Sequence, residues 1–321
     1  MKLGLFTTLF PDMELIDLLA LTRELGIEAL ELSSKPDRGL RHFHPRELLE
    51  NESALICFQD TLKRNNMIIS QLNCSCNPVS PIPGEEQKSR EDFEIAFRLA
   101  EKLNIRTVCS FSGCPGGGPG EKTPNWITCA WPPQYQNMLK WQWEEKLIPF
   151  WTWASKRGAD FGVNQLAIEM HPGFCVYNPD TLLRLRQAVG SVIGANLDPS
   201  HLIWQGISIP DAICALKGAI WHVHAKDTFI NQRNVRINGV LDTRHYSRAE
   251  ERSWTFRTVG YGMSRDTWKE IISFLILSGY DGVISIEHED MFLSKPDGLS
   301  KAATFLKEIL PIGNPDGIWW A

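Results

Sequence analysis

Short apolar runs alternate with helical patterns along most of this chain, and this alternation most constrains its fold. The first run, residues 2–7, is followed by a helical spacing of leucines that stops at Gly26, and a second run covers residues 27–32. A strand, a helix ended by glycine and another strand form a βαβ unit, which implies parallel strands and right-handed crossovers. Six further apolar runs continue the cycle, at residues 68–73, 106–111, 165–169, 193–198, 219–224 and 283–287.

The number of these units indicates one closed barrel. Eight strands alternate with seven helices, and a closing helix is predicted at residues 300–310. We therefore predict an α/β fold, a single-domain (β/α)₈ TIM barrel over residues 1–310, with a long loop after strand 4. A doubly wound open sheet would carry a GxGxxG fingerprint, which is missing. The tail, residues 311–321, ends in two tryptophans, which we expect to pack on the barrel or on a partner chain.

Composition and charge limit the partners and the compartment. The formal net charge is −5 without basic clusters, which argues against nucleic acid as a partner. No apolar run is long enough to span a membrane, and the chain opens on a strand-like run without a signal-peptide pattern. The eight cysteines are dispersed along the chain, which is typical of reduced thiols. These features favour a cytoplasmic protein that binds neither nucleic acid nor a membrane.

Four successive apolar runs end in a residue that binds metals. These residues are Glu169, Asp198, His224 and Glu287. The carboxyl ends of the strands form the active-site face of a TIM barrel, so the four side chains would meet there. Three carboxylates and an imidazole without a thiolate suit a hard or borderline divalent ion. We expect one such ion, with Mn²⁺ favoured and Mg²⁺, Co²⁺ or Zn²⁺ as alternatives.

The sequences around these four residues resemble those of the xylose-isomerase-like TIM barrels, also described as the sugar phosphate isomerase/epimerase family. The matching segments are Glu169, Asp198-Pro-Ser-His201, His222-Val-His224-Ala-Lys226-Asp227 and Ile286-Glu287-His288-Glu289. The resemblance runs from Met1 to about Leu310. It implies that the four residues bind one divalent metal and that His201 and Lys226 bind substrate beside it.

The resemblance also implies a reaction, the isomerisation or epimerisation of a keto-sugar. A metal bound to adjacent oxygens of a hydroxy-ketone would stabilise the enediolate that forms when a neighbouring proton is removed. Glu169 and Glu287 would then exchange that proton. Glu289 lies two residues beyond Glu287 and is expected to return to the site and bind substrate. His222 is expected to face the helical layer.

A closer subset of the motifs supports an alternative. Glu169-x-His171, the Lys226 pattern and a Gly/Trp-rich loop after the fourth strand look like the large subunits of C-glycoside deglycosidases and related 3-keto-glycoside lyases. In that reading His171 removes the proton and the β-substituent leaves. The partner would be a small second subunit, whereas the isomerase reading implies a homo-oligomer. A sugar-binding barrel without turnover is a third possibility, which the complete ligand set weakens.

Two irregular segments supply further candidates for substrate binding. The loop of residues 112–133 is rich in Gly and Pro and carries Trp126 and Trp131, so we expect an aromatic lid for a sugar ring. The alternative is a loop that packs on a neighbouring subunit. A polar excursion at residues 227–262 contains Arg244, which is a candidate for contacting a phosphate or an acidic sugar. A solvated polar loop is the default interpretation of this segment.

Overall fold

A computed structural model of the chain describes residues 1–313. It contains ten strands, which in chain order are β1 (Lys2–Phe6), β2 (Ala29–Ser33), β3 (Ile68–Asn73), β4 (Thr107–Phe111), β5 (Gln165–Glu169), β6 (Ile193–Leu197), β7 (Ile220–Ala225), β8 (Asp227–Ile230), β9 (Trp254–Arg257) and β10 (Val283–Ile286). Eight of them form a closed barrel in which every pair is parallel, and β10 pairs with β1 to close it. The predicted TIM barrel is therefore confirmed.

Twelve α-helices occur in the described residues: α1 (Leu15–Leu25), α2 (Pro45–Glu50), α3 (Glu52–Arg64), α4 (Glu85–Leu103), α5 (Gln134–Trp141), α6 (Ile148–Ala159), α7 (Pro179–Val189), α8 (Pro199–Ile203), α9 (Ile209–Ala215), α10 (Gln232–Asn238), α11 (Arg265–Leu277) and α12 (Lys295–Ile309). Gly26 ends α1 with a left-handed backbone, φ 70°. The closing helix α12 begins earlier than predicted because Ser294 caps it, its side chain accepting from the backbone N–H of Asp297. None of the described helices has the length and apolar character needed to cross a bilayer.

The polar excursion is more ordered than a solvated loop. β8 and β9 form an antiparallel pair, with Thr228 opposite Phe256, and the short helix α10 lies between them in sequence. Asp227, at the start of β8, is buried and accepts hydrogen bonds from the backbone N–H groups of Gly260 and Met263 and from the indole of Trp268. This carboxylate ties the hairpin and α11 to the end of β7.

The interior of the barrel is polar. Glu31, Asn73, Asn196, His222 and Ser285 are buried and hydrogen-bonded to one another or to His224. Bulky branched side chains usually fill this space in TIM barrels. A buried polar network of this kind is costly unless its members are paired, so its presence points to a functional use of the interior.

The predicted tail lies largely outside the described residues. The structure describes the chain up to residue 313, and Trp319 and Trp320, which we expect to pack on the barrel or on a partner, fall beyond that point.

Candidate metal centre

The four residues at the strand ends meet at the carboxyl-terminal mouth of the barrel. Glu169 is the last residue of β5, Asp198 follows β6, His224 is in β7 and Glu287 follows β10. One potential ligand atom from each lies within 4.8 Å of the others. Nδ1 of His224 is 2.9 Å from Oε2 of Glu287 and 3.6 Å from Oε2 of Glu169. The structure thus brings together side chains that are far apart in sequence.

The carboxylate oxygens at the centre are poorly satisfied by the protein. Oδ2 of Asp198 and Oε2 of Glu287 are buried, and neither has a partner with the geometry of a hydrogen bond among the described residues. Nζ of Lys226 lies 3.0 and 3.1 Å from these two oxygens, so its contact with them is an ion pair. The other oxygen of Asp198 accepts from the backbone N–H of Ser200 at the start of α8. This bond holds Oδ2 toward the cluster.

The charges around Lys226 favour an additional cation. Its ammonium group also contacts Glu289, whose side chain is 49% exposed, at 3.3 Å, so one lysine faces two largely buried carboxylates and one exposed carboxylate. Burial lowers the pKa of Lys226, but Asp198 and Glu287 outweigh this effect and raise the pKa well above its ordinary value. Buried carboxylates in excess over their cationic partners are costly. A divalent ion bound by the four strand-end residues would offset that excess, and their donor set fits such an ion.

Glu31 belongs to the site although no sequence argument pointed to it. It lies in β2, and its Oε2 accepts from Nε2 of His224 at 2.9 Å, while Oε1 accepts from Asn73 at 2.8 Å. The imidazole of His224 therefore bridges Glu31 on one side and Glu287 on the other. Metal-binding histidines commonly donate their second N–H to a carboxylate in this way. The available signal was a single charged residue inside the otherwise apolar run of β2.

Burial and nearby charges have opposing effects on the pKa values of His224 and Glu31. Burial lowers the pKa of His224, but Glu31 and Glu287 raise it well above the ordinary value. Burial raises the pKa of Glu31, but His224 and His222 outweigh it and bring the pKa below the ordinary value. His224 is thus held as an imidazolium between two carboxylates.

The expectation that His222 faces the helical layer is wrong. Its Nδ1 donates to Oδ1 of Asn196 at 3.0 Å, and its Nε2 lies 3.2 Å from the hydroxyl of Ser285, both inside the barrel. Residues two apart in a strand share a face, so His222 and His224 both point inward. Burial and the charge of His224 lower the pKa of His222 to about 4, so it is neutral. Asn196 in turn donates to Glu169 at 3.3 Å.

His201 and His171 lie beside the cluster. Nε2 of His201 is 3.3 Å from both Glu169 and Asp198 and 3.4 Å from Nζ of Lys226. The ring of His171 is 4.0 Å from that of His201, and its Nδ1 donates to the carbonyl of Pro172 at 2.6 Å. Burial and nearby positive charge lower the pKa of His201 to about 4, and burial with His201 lowers the pKa of His171 to about 3. Both rings are neutral near pH 7.

Two cavities open at this mouth and share three lining residues, His171, Tyr246 and Phe256. The smaller, about 300 Å³, is also lined by Glu289, Thr255 and Met291. The larger, about 410 Å³, is also lined by His201 and by the indoles of Trp126, Trp204 and Trp254. The predicted substrate-binding residues Glu289, His201 and Trp126 therefore all border these spaces, and Lys226 contacts both Glu289 and His201.

Arg244 pairs with another side chain of the protein and lines neither cavity, in contrast to the hypothesis that it contacts a phosphate or an acidic sugar. Its guanidinium donates to Oδ1 of Asp242 at 3.1 Å, and Asp242 also accepts from the backbone N–H groups of Arg244 and Ser253. The side chain of Arg244 thus helps to fix the turn before β9.

The loop after β4 packs on the barrel along its first half. The side-chain amide of Gln142, which is buried, donates to the carbonyls of Gly116 and Asn125 at 3.0 and 2.6 Å. The indole of Trp151 donates to the carbonyl of Ser112 at 2.9 Å. These bonds place Trp126 at the larger cavity, whereas Trp131 is 74% exposed.

The sequence matches the model of a known family. Residues 19–309 match the family described as the xylose isomerase-like TIM barrel. The chain belongs to this family. The match covers all of the described barrel except β1 and the first turn of α1.

Three proteins are similar to this chain in sequence or in structure. The uncharacterized protein YfiH of Bacillus subtilis (strain 168) is 38% identical over 313 residues, covering 97% of this chain and 99% of YfiH. The probable 3-DHS dehydratase AsbF of Bacillus anthracis has a similar structure, with a TM-score of 0.68, 18% identity and coverage of 96% and 99%. A D-tagatose 3-epimerase-like protein has a TM-score of 0.63, 18% identity and coverage of 96% and 97%. At these identities the two structures show a shared fold.

Proposed function

We propose that this chain is a divalent-metal-dependent isomerase or epimerase that acts on a keto-sugar. The observation that carries the proposal is the cluster of Glu169, Asp198, His224 and Glu287. Two glutamates of this cluster face the imidazole of His224, and the pKa of Glu169 is raised whereas that of Glu287 is lowered. The family membership and the resemblance to a D-tagatose 3-epimerase-like fold support the same chemistry. When bound, the metal would offset the negative charge that develops on the substrate oxygens as a proton is removed.

Different surroundings give the two glutamates different protonation, and only Glu169 fits the role of a group that exchanges protons near neutral pH. Burial and the charge of Glu287 raise the pKa of Glu169 to about 7. Burial also raises the pKa of Glu287, but Lys226 and His224 outweigh it and lower the pKa below the ordinary value. Two carboxyl groups whose pKa values are separated by their surroundings are typical of an acid and base pair. Glu169 would take up the substrate proton near neutral pH and, once protonated, would return a proton to the enediolate, while Glu287 would remain ionised.

Other residues would hold the substrate. Lys226, fixed by three carboxylates, would present a positive charge to a substrate oxygen. His201 would donate or accept a hydrogen bond beside it, because its neutral ring has one protonated nitrogen. Among the described residues that line the two cavities, none is Lys or Arg. This composition favours an unphosphorylated keto-sugar.

A lyase acting on 3-keto-glycosides is the second candidate. His171 borders both cavities and contacts His201, so it lies where a base could reach the substrate. The similar fold of AsbF, described as a probable 3-DHS dehydratase, supports an elimination as the second candidate. With a pKa of about 3, however, His171 is a weaker base than Glu169. We therefore place the lyase second.

Deuterium exchange would test both candidates. The Mn²⁺-loaded protein is incubated in D₂O with free ketoses and with 3-keto-glucosides, and the products are followed by NMR. Isomerase chemistry gives deuterium at the carbon next to the carbonyl, abolished in Glu169→Gln and retained in the exposed control Glu28→Gln. Release of an aglycone, lost in His171→Asn, would favour the lyase. Absence of both exchange and release would contradict the proposed function.

A further inference from the structure

The barrel interior holds a second group of metal-ligand atoms, on the far side of His224 from the strand-end carboxylates. One potential ligand atom from each of Glu31, His222 and His224 lies within 4.8 Å of the others. Oε2 of Glu31 is 2.9 Å from Nε2 of His224 and 3.8 Å from Nε2 of His222. Atoms bound to one zinc ion in tetrahedral geometry lie about 3.3–3.5 Å apart, a separation between these two distances.

Two side-chain amides hold these ligands in a form that can bind an ion. Nδ1 of His222 donates to Oδ1 of Asn196 at 3.0 Å, so the lone pair of its neutral ring is on Nε2. The amide of Asn73 donates to Oε1 of Glu31 at 2.8 Å, which leaves Oε2 toward the two histidines. Residues that bind metals are commonly oriented by hydrogen bonds of this kind.

Two further polar groups adjoin these ligands. The hydroxyl of Ser285 is 3.2 Å from Nε2 of His222. Gln71 is in register with Glu31 and shares a strand face with Asn73, so its side chain lies inside the barrel. Gln71 is fully buried, and neither atom of its side-chain amide has a hydrogen-bond partner in the part of the chain that the structure describes. Such amides are uncommon in native proteins, and an ion or its bound water would satisfy this one.

Charge and ligand type indicate which ion fits. Glu31 is fully buried, and the ring of His224 separates it from Glu169 and Glu287. Buried carboxylates are costly without a cation beside them. Two imidazoles and one carboxylate are typical ligands of Zn²⁺, whereas Mn²⁺ binds a nitrogen-rich set more weakly.

We infer that Glu31, His222 and His224 form an inner site for a second ion, Zn²⁺. Nε2 of His224 gives up its proton to bind this ion. With both sites filled, the ring of His224 binds one ion through each nitrogen. In the zinc-free protein, Glu31 acts on His224 through their hydrogen bond alone. The inner site goes beyond the proposed reaction, because zinc can be counted without any substrate.

Zinc counting tests the inner site. The metal-free protein is saturated with Zn²⁺, freed of loosely bound ions on a chelating column and analysed by inductively coupled plasma mass spectrometry. We expect about two zinc ions per chain, and about one in His222→Asn, because only the inner site uses His222. The control His44→Asn, at an exposed histidine immediately before α2, should keep about two. A single ion in the unaltered chain, or an unchanged count in His222→Asn, would overturn the inference.

A second measurement leaves the inner ligands intact. The double variant Asp198→Asn, Glu287→Gln removes the strand-end centre and should retain about one zinc ion. X-ray absorption spectroscopy should then show about two imidazole ligands on this ion and no sulfur, although the chain has eight cysteines. A double variant without zinc, a single imidazole or sulfur ligands would contradict the inner site. Absence of proton exchange in a chain that still holds this zinc would instead count against the proposed reaction alone.

Discussion

Glu31 shows how one residue outside the ligand set can control it. Its carboxylate accepts from Nε2 of His224, which leaves Nδ1 of that ring for the cluster. Partners of this kind fix the tautomer and orientation of a metal-binding histidine. The role of Glu31 is therefore to position His224.

We predict that Glu31→Gln weakens divalent metal binding by about 10- to 100-fold. The amide accepts a weaker hydrogen bond than the carboxylate does, so His224 is less well oriented. Isothermal titration with Mn²⁺ measures the change. The control is Glu28→Gln, because Glu28 lies just before the same strand and its exposed side chain pairs with Lys2. An unchanged affinity in Glu31→Gln would show that His224 needs no such support.

The protonation of the ligands predicts a pH-dependent affinity. His224, whose pKa is raised well above its ordinary value, carries a proton on Nδ1 that a metal must displace. Glu169, with a pKa of about 7, carries a second proton below that pH. Metal binding should therefore release about one proton above pH 7 and about two below it. The apparent affinity should rise with pH, and more steeply below pH 7 than above it.

Calorimetry in buffers of different ionisation enthalpy counts the released protons. Glu169→Gln should lower the count at pH 6 by about one, because only the second proton belongs to that residue. A count that does not change between pH 6 and pH 8 would contradict the assignment.

At the scale of elements, the functional residues at the ends of the strands could be predicted from the sequence, whereas those inside the strands could not. Glu169, Asp198 and Glu287 stand where an apolar run stops, so the change of pattern marked them. Glu31 lies within a run in which every residue is buried, and its partners are distant in sequence: Asn73 is 42 positions away and His224 is 193 positions away. His222 was misplaced because its phase relative to His224 was assigned as opposite instead of the same.

The hairpin of β8 and β9 was hidden by its polar surroundings. Its strands have four residues each, and the connecting segment is rich in arginine. Arg252 in that segment is nevertheless buried, because it packs on the rings of Tyr246 and Trp254 at 4.3 and 4.6 Å. Long-range packing of this kind cannot be read from local composition.

The conformation of the loop after β4 depends on the buried side-chain amide of Gln142. We predict that removal of this amide changes the loop and leaves the barrel unchanged. In Gln142→Leu the carbonyls of Gly116 and Asn125 lose their donor, which should destabilise the closed loop by about 1–2 kcal/mol. Hydrogen exchange followed by mass spectrometry should show faster exchange at residues 112–133 and unchanged exchange in the barrel strands. The control is Gln136→Leu, at an exposed position of α5. Faster exchange throughout the barrel would contradict a role confined to the loop.

At the scale of the whole molecule, barrel closure and the metal centre depend on each other. The parallel strands end at one mouth, and this brings together carboxylates whose negative charge Lys226 and His224 offset only in part. A ligand that binds only the folded state stabilises it by mass action, by about 2.7 kcal/mol at a concentration of 100 times Kd. An ion bound to the cluster should therefore stabilise the folded chain.

Counting bound ions tests the central claim most directly. The metal-free protein is titrated with Mn²⁺, and the free ion is quantified in the presence of the bound ion by electron paramagnetic resonance. The account predicts about one tightly bound Mn²⁺ per chain, lost in the double variant Asp198→Asn, Glu287→Gln and retained in Glu28→Gln. A stoichiometry near zero, or one ion still bound tightly by the double variant, would contradict it.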